Sequence, residues 1–275
     1  MKNIFGLGMT LALLTTSCGA QQSKIKGDRD VISVNGNLQT GINTIEVDNG
    51  IEVELVQAKS NDYVLTTDRN LISVVDFKVK DSVLHINTNM KITRSKKLEV
   101  YLKMQNPQHI ILKGDSDLDT PGQIEVPYFS VMAKSSSQID LNITSQKTRI
   151  NLSEKSGGEV NTKTQDLEIK MTGRTDLDGK YTAGETLLTM ADNAEFNPRG
   201  KSNTLNLTLT GKADYRGDEY DTKEAIISLS DRSNAKISAT DKLAVSAQDK
   251  ATVNVYGKPE INVKALNDDA QINKK

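Results

Sequence analysis

Carboxylates are the side chains whose types and spacing in this sequence best suggest a site. Asp117, Gln138, Glu159, Asp176, Glu195, Asp214, Lys236, Thr252 and Gln271 each stand directly before an apolar residue, at nearly constant intervals. On stacked strands such residues form a column with neighbours about 4.8 Å apart. The acids from Glu159 to Asp214 would then repel one another unless screened or bridged. An acidic stripe of Asp117, Glu159, Asp176, Glu195 and Asp214 would take a cation or a basic partner. It could also supply a carboxylate pair for glycoside chemistry. The plainer alternative is a row of solvated charges paired with Arg174, Lys180, Lys212 and Arg216.

Other chemistry has little to stand on. His85 and His109 are not in metal-ligand spacing and read as outward strand residues. The sequence has no Gly-rich phosphate loop, no G-x-S-x-G elbow and no Cys/His pair. The expectation is therefore a non-enzyme without metal or cofactor. The stretch GDSDLDT, residues 114–120, has the carboxylates of a calcium loop but not the glycine and distal glutamate spacing, and its Leu118 is expected inward. Sugar binding favours exposed aromatic platforms, yet tryptophan is absent and aromatics make up 4% of the chain. Tyr181, Tyr220 and Tyr256, near expected turns, are the candidates for stacking on a sugar.

The elements that would position these residues come from a repeat. The pairs Leu112/Gly114, Val131/Ala133, Ile150/Leu152, Ile169/Met171, Leu188/Met190, Leu207/Leu209, Ile227/Leu229, Val245/Ala247 and Val263/Ala265 recur about every 19 residues. Each is followed by a second apolar anchor: Leu118, Ile139, Val160, Leu177, Phe196, Tyr215, Ile237, Val253 or Ile272. Residues two apart share one side of a strand, so each unit reads as two short strands joined at Gly, Asp, Asn and Ser. Such a unit cannot bury its own inner face and must stack on its neighbours. The fold class is all-β: a parallel β-solenoid, a β-helix-like stack of about nine coils, roughly 40 Å long at the strand spacing.

Two outward columns follow from that register. Asp119, Asp140, Asn161, Asp178, Asn197, Arg216, Ser238, Asn254 and Asn273 read as a ladder that ties coil to coil. Asn151, Lys170, Thr189, Thr208, Ser228, Ser246 and Lys264 read as a flat face of hydroxyls and amides. Residues 37–107 alternate without the 19-residue step and read as an N-terminal β section capping the regular coils of 108–275.

The N-terminus gives an address. An apolar run from Ile4 to Leu14 ends in small residues and Cys18, the only cysteine. The run is shorter than the roughly 20 residues a spanning helix needs, so residues 1–17 read as a signal peptide. Cys18, beside Ser17 and Gly19, resembles the cysteine of a bacterial lipobox, with Thr15 where a leucine is usual. Lipidation there implies a membrane partner through the anchor, in the outer membrane, facing the periplasm or the outside. Residues 18–36 are polar and read as a flexible tether, leaving 37–275 as one elongated domain. Removing 17 residues takes Lys2 with them, so 34 cations stand against 36 acids and the mature chain carries about −2. That balance argues against nucleic acid as a partner and leaves a protein or a glycan.

Particular residues carry a family likeness. Gly41-Ile42-Asn43, the alternation from Ile45 to Leu55, Asp68-Arg69-Asn70-Leu71, Ser82 to Ile86, Val100-Tyr101-Leu102 and Ile110 to Leu118 resemble the putative auto-transporter adhesin head GIN domain. That family is common on lipoproteins of the Bacteroidetes. The resemblance implies an extended all-β stack and an adhesive role, and it supplies no catalytic residues.

Overall fold

A computed structural model describes residues 23–275, so the signal segment and Cys18 lie outside the described residues. Within them the chain is a β-solenoid, with one short 3-10 turn, Arg69–Leu71, as its only helical element. The strands that build the N-terminal end are β1 (Lys24–Lys26), β2 (Val31–Asn37), β3 (Thr44–Val47), β4 (Glu52–Gln57), β5 (Asp62–Asp68), β6 (Val75–Lys80), β7 (Val83–Thr88), β8 (Lys91–Arg94), β9 (Leu98–Met104), β10 (His109–Leu112) and β11 (Asp117–Asp119). Two of them, β1 and β2, fall in the segment expected to be a tether. β1 pairs with β8 and β2 with β5, which fixes that stretch to the fold.

Each coil has the same local logic. Its first strand ends at a four-residue turn whose second residue takes a left-handed conformation, such as Gly114, Ser135, Glu154, Gly173, Asp192, Gly211, Asp231, Asp249 and Asp268. The fourth residue is small and buried: Ser116, Ser137, Ser156, Thr175, Ala194, Ala213, Ser233 and Ala251. The aspartates add a rung-to-rung clamp. Asp192, Asp231, Asp249 and Asp268 each accept the backbone N–H of the left-handed residue one coil earlier, at 3.0, 3.0, 3.1 and 3.3 Å. The opposite corner is a bend rather than a turn. From Gly157 to Ala247 one strand of 14–16 residues per coil runs around it, as in Gly157–Met171 and Asp176–Met190.

The register differs from the sequence expectation by two residues in three places. Ile110, not Leu112, pairs with Val131, so the first coil is longer than its successors. Gly158, not Val160, pairs with Ile139 and Leu177. Ala235, not Ile237, pairs with Tyr215 and Val253. A two-residue slip keeps every side chain on its face, so alternation alone cannot detect it.

The N-terminal section does not simply precede the coils. β3 and β4 form a rung stacked directly on β10 and β11. Against their other edge lie β7 and β9, later in the chain but parallel to them. Beyond those, β6 and β5 pair antiparallel to β7 and β9, and β2 pairs antiparallel to β5. The reversal of direction ends the parallel stack. Inside, Ile, Leu and Val fill the coils, and Tyr181, Phe196 and Tyr215 pack with ring centroids 5.2 and 6.0 Å apart.

Candidate functional site

The strand that follows each turn presents alternate residues outward, and at the N-terminal rungs these are acids. Glu99 pairs with Glu52, Glu52 with Asp117, Glu54 with Asp119 and Asp119 with Asp140. Together the six carboxylates surround a groove of about 400 Å³ over a floor of Val53, Val100, Leu118 and Ile139. Thr66 of β5 and Tyr101 of β9 border it. Gly158 closes the far end. Its φ is +136°, and a Cβ there would lie 1.9 Å from the Ile139 carbonyl oxygen, so only glycine fits.

These carboxylates have few counter-charges. Among the described residues only Glu99 makes an ion pair, with Lys97 at 2.8 Å. Asp117 accepts the Gln138 N–H at 3.2 Å. Burial raises the Asp117 carboxyl above its ordinary value, against that hydrogen bond, and nearby Asp115 adds to the rise. Burial also raises Asp119, with the charge of Asp140 adding to it. The groove is thus an anionic concavity whose acids repel one another.

Four acids of the expected stripe, Asp117, Asp176, Glu195 and Asp214, share one column as the sequence placed them, and Glu159 does not. Asp176, Glu195 and Asp214 do form a column, but Gly157 occupies the place expected for Glu159 and Asn234 that of Lys236. Glu159 lies one column over, between Asp140 and Asp178. Its displacement follows from the two-residue slip at Gly158. Arg216 bridges Glu195 at 2.9 Å and Asp214 at 2.8 Å. Asp176 is raised by burial, then by Asp178 and Glu195, with Arg216 opposing. None of these three, nor Glu159, lines the groove. Only Asp117 of the expected stripe does. Glu52, Glu54 and Glu99 were missed because they come from strands outside the 19-residue step; the alternation of Glu52-Val53-Glu54-Leu55 was their one visible sign.

The tyrosines overturn an expectation. Tyr181 and Tyr220 are 0% and 2% exposed, so neither can stack on a sugar. Both lie on strands that continue around the corner, where a turn had been expected: Tyr181 keeps the inward alternation of Leu177 and Gly179, and a bulge after Gly217 turns Tyr220 inward. The Tyr181 hydroxyl donates to the Asp178 carbonyl at 3.1 Å, and the Tyr220 hydroxyl bonds Thr186 at 2.8 Å. Burial raises both phenols. Tyr256 alone of the three stays half-exposed.

The remaining outward residues act mostly as structure. His85 sits 3.7 Å from Glu46, and His109 shares a 2.8 Å hydrogen bond with Ser130. Among the described residues no group of three His, Cys, Asp or Glu is placed to hold a metal ion. Leu118 of GDSDLDT is buried. The amide ladder exists in pieces: Asn197 donates to Asp178 at 2.8 Å, Asn234 to Asp214 at 2.7 Å, and Asn161 to Asn142 at 3.3 Å. Asn161 and Ser238 stand two residues beyond the column assigned to them, again through the slip; Glu159 and Lys236 occupy it. The hydroxyl and amide face keeps its register from Asn151 to Ser246, while a bulge sets Ala265 where Lys264 was expected. Leu187 and Ile226 stand exposed in the adjacent column.

Comparison with known proteins bears on the whole stack. A family model described as "Putative auto-transporter adhesin, head GIN domain" matches residues 41–163 and again 148–259, most of the chain. This chain belongs to that family. Its fold recurs in a crystal structure of a putative adhesin from Parabacteroides distasonis, at 19% identity and a TM-score of 0.70, covering 92% of this chain and 100% of that one. A putative adhesin from Parabacteroides merdae matches at 15% identity and 0.64, with 92% and 99% covered. A protein from Parabacteroides distasonis described as a putative lipid binding protein matches at 14% and 0.70, with 92% and 100% covered. A search of curated protein sequences finds no relative. An adhesin-head family is one of binding modules at the cell envelope or surface, and the GIN-domain description of this chain supports that class.

Proposed function

We propose that this GIN-domain protein is a non-catalytic binding module of the outer membrane, held by lipid at Cys18, that takes a basic partner in its acidic groove. The observation that carries the proposal is the set of groove carboxylates without a paired cation: among the described residues Glu52, Glu54, Asp119 and Asp140 make no ion pair. Charges on neighbouring strands destabilise one another, and an entering cationic surface would relieve that repulsion. The partner is a lysine- or arginine-rich protein segment rather than a nucleic acid, whose phosphates the groove would repel.

An oligolysine peptide titrated into the purified protein at low salt is the test. Binding is expected for the wild type and is expected to fall at least tenfold in E54Q/D119N/D140N, and to weaken with salt. Equal binding by the triple variant would remove the groove as the site. Protease shaving of intact and permeabilised cells then separates an outward-facing module from one that meets its partner in the periplasm.

A further inference from the structure

The short strand β1 and its partner β8 form a separate two-stranded sheet. Their register sets Lys24 beside Lys91, Ile25 beside Ile92, and, across a bulge that skips Thr93, Lys26 beside Arg94. Ile25 and Ile92 are half-buried, Ile92 against the core, and the four cations are exposed. Like charges directly across a ladder destabilise it. Yet among the described residues Lys24, Lys26, Lys91, Arg94 and the neighbouring Lys96 make no ion pair. The nearby carboxylates are engaged elsewhere. Asp30 pairs with Arg69 at 2.6 Å, Glu99 pairs with Lys97, and buried Asp68 accepts the backbone N–H groups of Arg29 and Lys96. Asp28 and Asp115 are the exposed acids beside the face: Asp28 accepts the Asp30 N–H, and Asp115 borders a groove with Lys91 and Arg94.

The Asp68 clip makes this face rigid. It fastens the chain after β1 and after β8 to the body of the cap, and it comes so close to Gly27 that a Cβ there would lie 1.8 Å from Asp68 Oδ2. Five cations are therefore held on one plate without an ion pair among the described residues. Five residues separate Cys18 from Lys24, so the six steps of an extended chain reach no more than about 22 Å. A lipid on Cys18 would hold the plate close to a bilayer surface, within a few Debye lengths of it.

We propose that this plate lies against the anionic phospholipid headgroups of the membrane that holds the anchor, so that the solenoid is oriented by two contacts rather than swinging from one. The proposal rests on the reading of Cys18 as lipidated, and the two can fail separately. Every described strand begins at or after Lys24, so a chain starting at residue 19 retains them all. That chain is expected to sediment with phosphatidylglycerol/phosphatidylethanolamine vesicles, to stay in solution with phosphatidylcholine vesicles, and to be released by salt.

At about fivefold per cation near an anionic surface, K24Q/K26Q/K91Q/R94Q is expected to lower partitioning at least about a hundredfold. The distal variant K264Q/K274Q/K275Q is expected to stay within about threefold of wild type, since those residues lie at the other end of the stack. Circular dichroism checks the fold, and if the quadruple variant is unfolded, K24Q and K91Q singly are each expected to cost about fivefold. No binding to anionic vesicles, or an equal loss in the distal variant, would overturn the proposal. Labelling of the full chain with palmitate in cells, with C18A as control, decides the anchor alone. Absence of label there removes the anchor and with it the membrane-facing orientation, whatever the vesicles show.

Discussion

Replacing Asp119 by asparagine probes the electrostatics of the groove at a single charge. Asp119 lies in register between Glu54 and Asp140, one strand away on each side. Two unit charges about 4.8 Å apart repel by roughly 0.9 kcal/mol at the dielectric of water, more where solvent is partly excluded and less in salt. Two such neighbours give D119N an expected gain of about 1–1.5 kcal/mol at pH 7. For a chain of this size that corresponds to about 2–3 °C in Tm.

The pH dependence has a definite sign. The folded carboxyl is raised above the ordinary aspartate value of 3.8, first by burial and then by Asp140. The native state therefore binds this proton more tightly than the unfolded one, and stability falls as pH rises from about 3.8 through the folded pKa. The gain from D119N is expected in full at pH 7 and to shrink towards zero at pH 4. Thermal unfolding followed by circular dichroism at both values, in low salt, measures it. An unchanged or lower Tm at pH 7 would refute the electrostatic argument, and so would an equal gain at pH 4.

Two further substitutions test the packing described above. Gly158→Ala must move a Cβ out of contact with the Ile139 carbonyl oxygen, 1.9 Å away, from a φ of +136°; a loss of at least about 2 kcal/mol is expected in chemical denaturation, and a neutral result would show that the strand can shift there. Tyr181→Ala empties a fully buried site and is expected to cost about 3–5 kcal/mol, whereas Tyr256→Ala is expected to cost under about 1 kcal/mol. Equal costs would refute the inward parity of the strand containing Tyr181.

The sequence determined the architecture because a solenoid is a local code repeated. The 19-residue step, the inward alternation and the small residue after each turn are properties of single coils, and stacking them follows from the inner face no coil can bury alone. Three assignments failed for one reason: side chains on a strand repeat every two residues, so Val160 and Gly158, Ile237 and Ala235, or Leu112 and Ile110 are equivalent choices until the neighbouring strand fixes hydrogen bonds. Glu159 and Lys236 moved with them. Tyr181 and Tyr220 depended on whether the corner breaks the strand or bends it: Tyr181 continues the alternation from Leu177, while a bulge turns Tyr220 inward. The groove was beyond reach for a different reason. Glu54 and Asp119 are brought side by side by intercalation of β3 between β7 and β10 and of β4 between β9 and β11, and the cations of β1 and β8 meet across more than sixty residues of chain. Pairings of that kind are decided by which edges are left open when the chain folds, and only the tertiary structure records them.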